Sequence, residues 1–159
     1  STRQAGAEFQ LDYVARFSKT HQLQIQAGYA YQPYRFVQYK QAGVVFNGNA
    51  LTGNAKHQVA SSITYDYKKT ASIFVKLQSL SRVPLTDAND VYAGSYQLIQ
   101  SGISINHLRV RYFLSVNNLL NKSYSLGNDI NAAGRRYYNP SSPRGYMAGM
   151  SIQMAKYRR

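Results

Sequence analysis

The chain has 159 residues, enough for one ordinary domain, and carries 19 Lys and Arg against 6 Asp and Glu, a net charge of +13. It contains no Cys, which excludes disulfides and thiolate metal sites, and no run of about 18 apolar residues, which excludes a membrane-spanning helix. The positive charge is scattered along the chain, with short pairs at Lys68-Lys69, Arg135-Arg136 and Arg158-Arg159, so it does not make the basic stripe of a nucleic-acid-binding domain. Ser1-Thr2-Arg3-Gln4 lacks the apolar segment of a signal peptide. For an exported protein this predicts a mature or partial sequence.

Period-2 alternation predicts seven strands. The first, about 3–17, sets Ala5, Ala7, Phe9, Leu11, Tyr13, Ala15 and Phe17 against Glu8, Gln10, Asp12 and Arg16. A short turn at 18–21 leads to the second, about 22–36, with Leu23, Ile25, Ala27, Tyr29 and Tyr31 opposite Gln22, Gln24, Gln26 and Gly28. Pro33 is expected to end regular pairing there. A Gly-, Asn- and Gln-rich segment at about 37–55 precedes the third strand, about 56–67, which carries Val59, Ile63, Tyr65 and Tyr67. After a turn at 67–70 the fourth, about 71–83, alternates Ala71, Ile73, Val75 and Leu77 with Ser72, Phe74, Lys76 and Gln78. A polar loop at about 84–94 follows, then the fifth strand at about 95–105 and a tight turn at Asn106-His107. The sixth sets Leu108, Val110, Tyr112, Leu114 and Val116 against Arg109, Arg111, Phe113, Ser115 and Asn117. The seventh, beyond a long loop at about 120–143, sets Tyr146, Ala148, Met150, Ile152 and Met154 against Met147, Gly149, Ser151, Gln153 and Ala155. Helix-period spacing is scarce, and Tyr, Val, Ile and Ser stand where helix formers would be needed.

The end of the chain carries two adjacent motifs. Val116-Asn117-Asn118-Leu119-Leu120-Asn121-Lys122-Ser123-Tyr124, then Pro143-Arg144-Gly145-Tyr146-Met147-Ala148-Gly149-Met150-Ser151-Ile152, resembles the C-terminal end of TonB-dependent outer-membrane receptors. Upstream, Gly48-Asn49-Ala50-Leu51-Thr52-Gly53-Asn54-Ala55-Lys56-His57 is similar to a segment preceding a strand in the same family, without the family's Pro. The resemblance implies an all-β, antiparallel transmembrane barrel segment, with residues 1–159 supplying about seven strands of a barrel of roughly 22. Connections alternating short and long fit periplasmic turns and surface loops. With the C-terminus in the periplasm, counting back puts Ser1 at the cell surface. Seven strands so arranged do not close, and no plug or TonB-binding segment precedes them here. The rest of the barrel with its plug is expected as a separate chain, a cleaved piece or another part of the same polypeptide.

Parity on this reading puts Glu8, Asp12, Arg16, Gln24, Gln26, Lys76, Gln78, Arg109 and Arg111 in the lumen, since a charge on the lipid face would cost about 2–4 kcal/mol at midplane. For any one of them, contact with plug or water is the plainer expectation than contact with solute. Arg135, Arg136 and Arg144 flank the last surface loop, where substrate or lipopolysaccharide contact competes with simple solvation. Tyr29, Tyr31, Tyr34, Tyr96 and Tyr146 at one level, and Tyr65, Tyr67, Phe17 and Tyr157 at the other, are expected to form two interfacial girdles. Gly149, Ile152 and Met154 resemble the end signal read by the barrel-assembly machinery, with Met154 in place of the usual aromatic. Asp87 and Asp90 read as a solvated loop, lacking the EF-hand pattern. His21, His57 and His107 have no metal-ligand spacing and read as polar turn residues. No catalytic set or cofactor is expected. The implied partners are barrel remainder, plug, TonB complex, assembly machinery and outer-membrane lipid, with no nucleic acid. A small complete outer-membrane porin or adhesion barrel and, third, a soluble basic β-domain binding nucleic acid are the competing readings.

Overall fold

In the computed structural model, which describes residues 1–154, the alternating runs become seven long strands. They are β1 (Ala7–Arg16), β2 (His21–Tyr31), β3 (His57–Tyr67), β4 (Ala71–Leu80), β5 (Tyr96–His107), β6 (Val110–Asn117) and β7 (Gly145–Ile152). Each pairs antiparallel with its neighbours in sequence, giving one meandering sheet in the order β7-β6-β5-β4-β3-β2-β1. The register keeps parity throughout. Leu11 lies opposite Ala27, Ile25 opposite Ile63, Ile63 opposite Val75, Ile103 opposite Ile73 and Leu114, and Leu114 opposite Ala148. A slip by one residue anywhere would exchange the two faces, so an alternating sequence holds the register against it.

Three short turns and three long loops alternate, as the spacing predicted. The loops carry small strand pairs: Lys40–Gln41 with Val44–Val45, and Val83–Pro84 with Tyr92–Ala93. Thr2–Arg3 pairs with Arg35–Phe36 beyond the ends of β1 and β2. The long first and second strands expected from the sequence are thus each interrupted. Regular pairing of β2 stops at Tyr31, two residues before Pro33, as a residue without an N–H requires. The expected fourth strand also stops early, at Leu80, with Val83–Pro84 turning away to pair inside its loop.

The turn expected at Asn106-His107 is corrected. β5 continues through His107, which pairs with Val110, and the two-residue turn is Leu108-Arg109, with Leu108 at φ +55°. Both registers leave every side chain on the same face, so alternation could not separate them. What decides is Asn106, held in the strand by N–H donation to the Thr70 carbonyl and by its side-chain amide on the Lys69 carbonyl, both at 2.7 Å. Leu108 and Arg109 therefore sit at a turn. Arg109 is not on the polar face of β6, and Leu108 is not on its apolar face.

The buried core is not beneath the sheet. It lies among the long loops, where Ala55, Val83, Leu85, Ala93 and Tyr137 pack together, with Leu80, Val91 and Ala132 against them. Leu85 is fully buried.

Candidate functional site

The sheet has two chemically distinct faces. One carries Phe9, Leu11, Tyr13, Ile25, Ile63, Ile73, Val75, Ile103, Ile105, Tyr112, Leu114 and Met150, and most of these rings and branches are exposed. Seven strands about 4.8 Å apart and roughly 30 Å long make a face on the order of 900 Å². The largest apolar patch on a typical soluble monomer is roughly 300–600 Å².

That apolar face is bounded at both ends by His–Tyr clusters on β2 and β3. At the short-turn end His21 Nδ1 lies 2.5 Å from the Tyr65 hydroxyl, and its ring lies 5.0 Å from that of Tyr67. At the loop end His57 Nδ1 lies 2.8 Å from the Tyr29 hydroxyl, and its ring lies 5.2 Å from that of Tyr31. The 11 residues of β2 separate the two clusters. That is roughly 34 Å along a strand. At the usual tilt of such strands it becomes about 25 Å, the height of the apolar band of an outer-membrane barrel. The tyrosines are legible in the sequence as interfacial residues, whereas His21 and His57, expected in turns, open β2 and β3. Tyr146 also lies on the apolar face, opposite Val116, and is exposed. Tyr96 does not belong to a girdle. It is on the polar face, buried, with its ring 4.9 Å from that of Tyr124. Tyr34 is in the first loop, and Tyr157 lies outside the described residues.

The other face gathers Glu8, Asp12, Arg16, Gln24, Gln26, Lys76, Gln78 and Arg111. Asp12 accepts from Gln10 and from Gln26, both at 2.9 Å, and Ser62 donates to Gln26 at 3.3 Å. Arg16 donates to Gln22 and Arg111 to Ser104, each at 3.1 Å. The recesses of the sheet open on this side, bounded by Gln10, Asp12, Gln26, Gln58 and Gln78 toward the loops and by Arg16, Gln22, Asp66 and Arg111 toward the short turns.

Over the loop end of the polar face the three long loops are tied around Asp87. Its carboxylate accepts from the Thr52 hydroxyl at 2.5 Å and the Tyr39 hydroxyl at 3.1 Å. Its carbonyl accepts from Asn49 at 2.7 Å, and its N–H donates to Asn131 at 3.1 Å. Beside it Asn89 accepts from the Ala50 N–H and returns its amide to the Ala50 carbonyl. The expectation of a solvated loop is corrected: Asp87 is buried and joins all three loops. The Gly48 to His57 segment supplies Asn49, Ala50 and Thr52 to this knot and Ala55 to the apolar core. Asp90 accepts from Thr86 at 2.5 Å and lies 3.7 Å from Arg135. The Thr86 hydroxyl, then a backbone hydrogen bond at Asp90 and last the Arg135 charge hold its carboxyl below the usual range, against the opposing effect of desolvation. Asp87 pushes the Tyr39 phenol up, first by accepting its hydrogen bond.

Arg136 and Arg144 are exposed, and the Arg144 N–H donates to Asn121 at 3.0 Å. This bond joins the two C-terminal motifs. Asn118, at φ +49°, closes the first of them by bonding both the N–H and the carbonyl of Lys122. Gly149 is under the Phe113 ring and Ile152 ends β7. Met154 lies past the strand and is 88% exposed, so the terminal strand residue is Ile152.

No protein-family model matches the chain. Solved structures that share its fold include two receptors. The siderophore receptor PiuA from Acinetobacter baumannii is 19% identical with a TM-score of 0.70, over 91% of this chain and 21% of that one. The ferric yersiniabactin uptake receptor FyuA from Yersinia pestis is 14% identical with a TM-score of 0.69, over 94% of this chain and 23% of that one. The chain thus spans less than a quarter of either receptor's length. The seven-stranded sheet with its three long loops has the fold of a segment of these siderophore receptors.

Proposed function

We propose that this chain is the C-terminal part of the barrel of a TonB-dependent outer-membrane importer, and that it supplies wall, three surface loops and the closing strand. The apolar face meets lipid, the polar face lines the lumen, the loops are extracellular, and the short turns and C-terminus are periplasmic. A plug inside the barrel binds the solute together with the loops and is pulled through TonB to open the path. The solute belongs to the scarce, energised class: siderophore, cobalamin, glycan or peptide. The chain itself performs no chemistry. The barrel-assembly machinery and lipopolysaccharide complete its partners.

The observation that carries this proposal is the two-faced sheet itself. Its exposed apolar face is bounded by His–Tyr clusters at a bilayer's spacing, and its fold matches receptors that take up siderophores. Among the described residues β1 pairs only with β2 and β7 only with β6. With seven antiparallel strands β1 and β7 run the same way, so closing them on each other would need a parallel pair. In hydrocarbon each unpaired backbone group costs several kcal/mol. These open edges favour a barrel segment over a small complete porin.

Residues 1–159 exported alone should therefore not give a heat-modifiable, protease-resistant species on a seminative gel. Supplying the upstream strands, even as a second chain, should restore one. A compact barrel from the fragment alone would replace the importer segment with the small-porin reading.

A further inference from the structure

We infer that the short-turn end of the polar face is an electrostatic seat for an acidic protein surface, presented by the domain that fills the barrel. The inference rests on the importer proposal. Arg16 on β1, Lys19 in the first turn, Lys68 and Lys69 in the second, Arg109 in the third and Arg111 on β6 gather at this end, around recesses in which Asp66 is the one carboxylate. Among the described residues none of these cations has a carboxylate within ion-pair distance, since the one ion pair there is Arg135 with Asp90. Arg16 and Arg111 are steadied by neutral groups, Gln22 and Ser104, which orient a guanidinium without neutralising it.

Geometry selects the kind of partner. Five inter-strand steps separate β1 from β6. At about 4.8 Å each, that is an arc of roughly 24 Å. A single phosphate or carboxylate spans only one or two of these cations, whereas a folded surface spans the arc. Lipid phosphates reach the opposite face, where Lys56 at the loop end leans its ammonium over Tyr31, 5.5 Å from the ring centroid, and Tyr31 is on the apolar face. A domain that packs against the polar face at this end removes water from Arg16 and Arg111. Burying unpaired guanidinium is costly, so such a domain must bring carboxylates to this arc or leave it hydrated.

The test uses the full-length receptor that contains this chain, in detergent. The readout is the rate at which the lumenal domain becomes protease-sensitive in urea, and heat-modifiable migration confirms that each variant barrel is intact. Between about 0.05 M and about 0.5 M NaCl the screening length falls from roughly 14 Å to roughly 4 Å. Salt should therefore speed release in the wild type. Arg16→Glu/Arg111→Glu should raise the low-salt rate about tenfold and remove the salt dependence, while Lys56→Gln should change neither. Unchanged release and salt dependence in the double variant would overturn the seat while leaving the importer proposal standing. Intact barrels with no lumenal domain would overturn both. An effect of Lys56→Gln equal to that of the double variant would overturn the seat in favour of a membrane-surface role for these cations.

Discussion

The ring of Phe113 on β6 lies over Gly149 on β7, its cross-strand partner, so that a Cβ at position 149 would stand 2.5 Å from the ring's Cζ. Phe74 on β4 covers Gly102 on β5 in the same way, at 2.6 Å from Cε1. Both pairs are on the polar face. A ring over a bare backbone fills the gap that the missing side chain leaves, and it pins the register of that pair. Gly149, read from the sequence as part of an assembly signal, has this packing role in the folded sheet.

Gly149→Ala in the full-length protein should lower barrel stability by about 1–3 kcal/mol, the usual range for overpacking. Combining it with Phe113→Ala should cost clearly less than the sum of the two single changes, because the clash is then gone. Urea titration of the heat-modifiable form measures the cycle. Strict additivity would mean that the ring moves aside freely and that the pair does not hold the register.

Asp87→Ala should loosen all three loops together and leave the sheet intact. The change removes the acceptor of the half-buried Thr52 hydroxyl, whereas the Tyr39 hydroxyl keeps Gln41 at 2.7 Å, and a buried donor left unpaired costs about 1–3 kcal/mol. Limited proteolysis should show new cleavage in residues 32–56 and 118–144 as well as around position 87, with the strands still protected. Cleavage confined to the second loop would show that the knot does not couple them.

The Thr86–Asp90 contact should make the second loop acid-sensitive. The Asp90 carboxyl is held below its ordinary value near 3.8 in the folded protein. A depressed carboxylate contributes stability above its unfolded value, and that contribution is lost as pH falls through the folded one. Loop protection should therefore be steady from neutral pH down to about 4 and fall below that. Thr86→Val should remove the larger part of this dependence and Arg135→Gln a smaller part, as read by NMR titration of Asp90 together with protease sensitivity. Identical titration of Asp90 in wild type and Thr86→Val would remove the hydroxyl as the cause.

Spin labels at Arg111 and Tyr112 should respond in opposite ways to water-soluble and lipid-soluble quenchers. The two residues are adjacent in β6 and pair with Ser151 and Met150 on opposite faces. A cation on the lipid side would cost about 2–4 kcal/mol near midplane. Equal quenching at both sites would end the barrel reading for this strand.

The strands and their faces were legible in the sequence because alternation is a local property. Leu11, Ile25, Ile63, Val75, Ile103, Leu114 and Met150 fall on one side by parity alone, and the antiparallel register preserves that parity across the sheet. Asp12, Gln26, Lys76 and Arg111 follow on the other side for the same reason. Parity is blind to shifts that leave it unchanged, so it does not distinguish a turn at Asn106-His107 from the turn at Leu108-Arg109 that the fold adopts. It is equally blind to contacts between loops distant in sequence. Asp87 looks like any polar loop residue until Tyr39, Thr52, Asn49 and Asn131 arrive from two other loops to bond it. His21 and His57 look like turn residues until cross-strand pairing brings each against two tyrosines. Tyr96 has the composition of a girdle residue, but its place opposite Leu80 turns it to the polar face, where Tyr124 covers it. Face and period are written in neighbouring residues. Partnership between loops depends on which strand ends the sheet brings together, and only the folded sheet decides that.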